Sequence, residues 1–98
     1  MNKKIDLPEN AKQCIIEYAA KYGIARVVLF GSRARGDNRP QSDIDIAVAG
    51  GDTDGFASAV KDTTKTLLTF DIVQLDKLKN SELKDIISEE GVLIYEKA

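Results

Sequence analysis

Apolar residues recur at Ala11, Cys14, Ile15, Tyr18, Ala19 and Tyr22, the i, i+3, i+4, i+7, i+8, i+11 stripe of a helix that buries one face. Asp6 with Glu9 three residues on, and Pro8 between them, predicts a capping-box-like start, and Gly23 predicts the stop. The pattern then changes. Ala25 to Phe30 is a short apolar run ending abruptly at Gly31-Ser32, which predicts a buried strand and leaves room for a short helical turn after it. Asp43 to Val48 predicts a second strand, closed by Gly50-Gly51, and Thr69 to Leu75 a third. Between them, Thr53 to Leu68 predicts a helix with Phe56, Val60 and Leu67 on one side, weakened by its threonines. Ser81 to Glu90 predicts a short helix with Leu83, Ile86 and Ile87 inward, stopped by Gly91, and Val92 to Tyr95 a final strand.

That order implies an α+β fold over a single domain, residues 1–98: a small mixed sheet of three to four strands packed with about three helices. The link between the first two strands need not carry a parallel crossover, so a doubly wound sheet is not expected.

One stretch breaks the alternation of buried segments and turns. Residues 31–46, GSRARGDNRPQSDIDI, hold three of the chain's four arginines and end in two aspartates separated by one isoleucine. On a strand, Asp43 and Asp45 project from one face, at a spacing that lets two carboxylates share a divalent cation. Without a cation they repel, and one tends to keep its proton. The competing reading is an edge strand with a solvated acidic face. Gly31 lets the backbone turn and approach a ligand, and Ser32 can cap the turn that follows. Arg33, Arg35 and Arg39 suit bidentate phosphate contacts, although single loop arginines are commonly just solvated. A P-loop reading of Gly31-x4-Gly36 fails, because Asp37-Asn38 stands where Lys-Ser/Thr is required. Asp71, inside an apolar strand, is the candidate third carboxylate of a metal clamp, and could accept the proton of an attacking hydroxyl.

Composition narrows the chemistry further. A net charge of -2 gives no overall pull toward nucleic acid or an anionic membrane, so any attraction for phosphate must be local. There is no histidine and only one cysteine, Cys14, which the stripe places in the core. A bound metal would therefore be held by oxygen, pointing to Mg2+, Mn2+ or Ca2+. No apolar run reaches the roughly 18–20 residues of a membrane span. The positive start from Met1 to Lys4 leads into Ile-Asp-Leu-Pro-Glu instead of the apolar core of a secretory signal, so a cytoplasmic setting is expected.

Gly31-Ser32, the arginine loop through Gly36, Ser42-Asp43-Ile44-Asp45 and Asp71 together resemble the nucleotidyltransferase superfamily typified by DNA polymerase beta. The greatest resemblance is to its minimal, MntA-like members, which pair with a HEPN-type (HepT) partner. The resemblance implies a polymerase beta palm-like fold. It implies that Gly31 and Ser32 hold a triphosphate, with Arg33, Arg35 and Ser42 as further nucleotide contacts, and that Asp43, Asp45 and Asp71 bind Mg2+, as two ions, with Mn2+ an alternative. It also implies transfer of AMP from ATP to a tyrosine hydroxyl of a helical HEPN/HepT toxin, making the chain the antitoxin of a type VII-like pair in a homo- or hetero-oligomer. A non-enzymatic toxin- or nucleotide-binding module, and transfer to a small molecule such as an aminoglycoside, are the alternatives. Direct nucleic-acid binding is not expected of so small and acidic a chain.

Overall fold

The computed structural model describes residues 5–98, so the positive start at residues 1–4 lies outside the described residues. The chain runs α1 (Glu9–Lys21), β1 (Arg26–Phe30), α2 (Ser32–Arg35), β2 (Ile44–Ala49), α3 (Thr53–Lys61), β3 (Phe70–Gln74), a 3-10 turn (Leu75–Lys77), α4 (Ser81–Glu90) and β4 (Val92–Glu96). The strands form one four-stranded mixed sheet in the order β3-β2-β1-β4. β1 pairs antiparallel with both β2 and β4, whereas β2 and β3 are parallel, with α3 as their crossover.

The two sheet faces separate cleanly because strand side chains alternate. Val27, Leu29, Ile44, Ile46 and Val48 join Ala11, Ile15 and Ala19 of α1 and Phe56 and Val60 of α3 in the main core. Phe30 and Ala47 face the other way, under Ile87 of α4, with Val28, Val73 and Leu83 around them. Cys14 is buried on the inner stripe of α1, as the periodicity predicts. The end of α1 is a Schellman turn: Ile24 N–H donates to Ala19 O at 2.9 Å and Gly23 N–H to Ala20 O at 3.4 Å, with Gly23 at φ 66°.

Four expectations need correction. Pro8, not a capping-box side chain, precedes α1, and no side chain caps it. Asp6 instead accepts from Asn38 Nδ2 at 2.8 Å. Gly31, not Ser32, occupies the cap position of α2, and Ser32 is its first residue. The predicted helix from Thr53 to Leu68 stops at Lys61, and Leu67, expected inside, is fully exposed. The threonines at 63, 64 and 66 give poor helix propensity just where the apolar stripe runs out. Ile86, expected inward, is 44% exposed, because the inner face of α4 is set by Leu83 and Ile87, four residues apart.

Candidate active site

β2 and β3 bring the acidic residues together. Parallel pairing puts Asp45 directly opposite Asp71, on the face that carries Ala47 and α4. Asp43 lies one residue before β2, where Ile44 N–H donates to Thr69 O at 2.9 Å and fixes the start of the ladder. The Asp43 carboxylate accepts a hydrogen bond from the Thr69 hydroxyl. Asp71 and Asp43 are exposed and Asp45 is half-buried.

Partial burial pushes the Asp45 carboxyl above its ordinary range, and the negative charges of Asp71 and Asp43 push in the same direction, against a smaller opposing pull from Arg35. A carboxyl destabilised as an anion by two neighbouring carboxylates is one that a hard divalent cation would relieve. Three aspartates are suitable oxygen donors for such an ion. As they stand, no three acidic, cysteine or histidine side chains among the described residues are close enough to ligate one together.

Gly31 closes the site from β1. Its φ of 76° is open to glycine, and a Cβ built there would overlap Asp45 Oδ2. Only a residue without a side chain lets the backbone entering α2 pass this close to the carboxylate. The loop that follows is held by Arg33, which is 1% exposed. Its Nε donates to Ser42 O, its Nη1 to Asp6 O and its Nη2 to Pro40 O, each at 3.0 Å. The guanidinium expected at a phosphate thus binds backbone carbonyls of Asp6, Pro40 and Ser42. Ser42, also expected at the nucleotide, accepts from Arg39 N–H through its hydroxyl at 2.9 Å.

Arg35 is the exposed arginine near the acids. It pairs with Asp37 at 3.0 Å and with Glu90, at the end of α4, at 2.9 Å. The hydrogen bond to Asp37 is the main reason its guanidinium holds its proton even more firmly than usual. A cavity of about 610 Å³ lies at the opposite end of the same sheet face, between Arg26, Ala49, Leu75 and Lys84, and none of the three aspartates lines it. The three aspartates lie outside that hollow.

A model of the family described as polymerase beta nucleotidyltransferase matches residues 13–98. The chain belongs to that family. It is 38% identical over 81 residues, 74% of its own length and 79% of the relative's, to a Methanocaldococcus jannaschii protein named as a protein adenylyltransferase. Among solved structures it is similar to a toxin–antitoxin pair crystallised with AMP-PNP, with a TM-score of 0.70 and 22% identity over 88% of this chain and 73% of that one. It is also similar to a mutant MntA–HpeT toxin–antitoxin, with a TM-score of 0.67 and 19% identity over the same shares. The four-stranded mixed sheet with its helices is the nucleotidyltransferase fold that the motif at residues 31–46 implies.

Sequence reasoning missed Thr69 and the link between Asp6 and the loop. Thr69 could have been found only by pairing β3 with β2 in parallel register, which sets it beside Asp43. The partners of Arg33 are three backbone carbonyls, and a carbonyl leaves no trace in residue identity.

Proposed function

We propose that this nucleotidyltransferase moves AMP from ATP to a hydroxyl on a partner protein, with a tyrosine of a HEPN/HepT-type toxin as the acceptor, and so acts as the antitoxin of a toxin–antitoxin pair. The observation that carries this reading is the in-register placement of Asp45 against Asp71, with Asp43 beside them and Gly31 tight against Asp45. The curated relative named as a protein adenylyltransferase and the toxin–antitoxin neighbours support the acceptor class.

In this reading Asp43, Asp45 and Asp71 hold Mg2+, which when bound would neutralise phosphate charge at the reacting centre. Gly31 and Ser32 let the backbone approach the triphosphate. Arg35, exposed beside Asp45, can exchange Asp37 or Glu90 for a phosphate oxygen, whereas Arg33 keeps the loop in shape. Asp71, on the open side of β3, accepts the proton of the attacking hydroxyl. The acceptor oxygen bonds to the α-phosphorus as the bond to pyrophosphate breaks. Residues 1–98 act as one domain, in the cytoplasm.

The test is incubation with ATP labelled in the α-phosphate, Mg2+ and the co-purified partner, alongside the double variant Asp43→Ala, Asp45→Ala. Label should move to the partner only with the native chain. Equal labelling by the variant, or no labelling by the native chain, overturns the reading.

A further inference from the structure

Thr69 lies outside the motif and at the start of the edge strand β3, and it is the residue whose hydroxyl meets the Asp43 carboxylate. The hydroxyl is held in place from the backbone: Thr69 O accepts from Ile44 N–H at 2.9 Å, so the residues flanking Asp43 and Thr69 are locked across the β2–β3 ladder. β-Branching restricts Thr69 further at χ1. The hydrogen bond engages Asp43 Oδ1 and leaves Oδ2 for a ligand.

We propose that Thr69 is a positioning residue for Asp43, orienting its carboxylate so that Oδ2 is presented to a divalent cation shared with Asp45 and Asp71. This rests on the metal-binding part of the function proposed above. Asp43 needs such a partner more than Asp45 does. Asp45 is fixed by the strand on both sides, between Phe30 and Asp71. Asp43 precedes the strand and is exposed, so the ladder does not fix its side chain as it does that of Asp45. Partners that orient a ligating carboxylate from behind are commonly worth 10- to 100-fold in metal affinity.

The test uses the full chain and two variants, Thr69→Val and Thr69→Ser. Valine keeps the shape and the strand preference but removes the hydroxyl, and serine restores it. Mn2+ binding with a non-hydrolysable ATP analogue is measured by electron paramagnetic resonance, and thermal unfolding without metal is recorded in parallel. The expected result is about 10-fold or greater weakening of Mn2+ binding in Thr69→Val, recovery in Thr69→Ser, and unfolding temperatures close to native in both. Unchanged or tighter binding in Thr69→Val overturns the positioning role while leaving the metal site intact. Failure of serine to restore binding overturns it as well, since the methyl group and not the hydroxyl would then matter. Absence of Mn2+ binding by the native chain overturns the metal site itself, and the role of Thr69 with it.

Discussion

The sharpest prediction concerns Arg33, because two uses of one side chain give opposite results. Arg33→Ala removes three hydrogen bonds from a charged donor to the carbonyls of Asp6, Pro40 and Ser42. Bonds with one charged partner contribute about 1.5–3 kcal/mol each. The carbonyls of the exposed loop can partly rehydrate, so the three do not simply add. A net loss of about 3–5 kcal/mol is expected, less than the sum of three such bonds and at the large end of single-substitution effects. Against a typical total stability of about 5–15 kcal/mol, this is a large fraction. Arg33→Lys keeps the charge but replaces a planar five-donor fork with a single nitrogen, so it should recover only part of the loss. Urea unfolding followed by circular dichroism measures both, with the native slope expected near about 1–3 kcal/mol per molar urea. An Arg33→Ala chain within about 0.5 kcal/mol of native, but with weakened ATP binding, would refute the clasp and return Arg33 to the phosphate.

Other outcomes follow from the same structure. Gly31→Ala forces a side chain into the left-handed region and against Asp45, so it should cost about 1–3 kcal/mol of stability by thermal unfolding and abolish transfer. Asp45→Asn should also abolish transfer, yet raise the unfolding temperature of the metal-free chain at neutral pH. The folded carboxyl holds its proton more tightly than the unfolded one. Native stability should therefore fall as pH rises from the ordinary carboxylate value of 3.8 through the raised one, a slope that a pH series should find reduced in Asp45→Asn. Leu67→Ser should change stability by less than about 0.5 kcal/mol, since the side chain is fully exposed. Phe56→Ala, by contrast, should cost about 3–5 kcal/mol.

Where the pattern was strong, the fold was legible. The stripe of α1 and all four strands lie within a residue of where periodicity puts them, because burial of one face leaves a period in the residues themselves. That Asp43 and Asp45 share a sheet face was equally legible, being a local feature of β2 and the residue before it. The errors have a common cause. α3 ends at Lys61 because low-propensity threonines at 63 and 64 coincide with a break in the apolar stripe, so Leu67 kept a helical spacing without a helix beneath it. Arg33 was read by its charge, whereas its place was decided by carbonyls at Asp6, Pro40 and Ser42, contributed by segments on both sides of it in the sequence. Thr69 acts across a parallel ladder 26 residues from its partner, a relation that depends on register alone.

The strand order has a further consequence. β3 is an outer strand, so Asp71 stands on the sheet's edge strand, with no further strand beyond it among the described residues. In the proposed reaction, water and a large acceptor hydroxyl would reach that carboxylate by the same route. Discrimination between them cannot come from a closed chamber of this fold, and must come from how long the acceptor stays seated. Under the proposed transfer to a partner hydroxyl, transfer and hydrolysis would be competing fates of one bound nucleotide, with the partner's residence time setting their ratio.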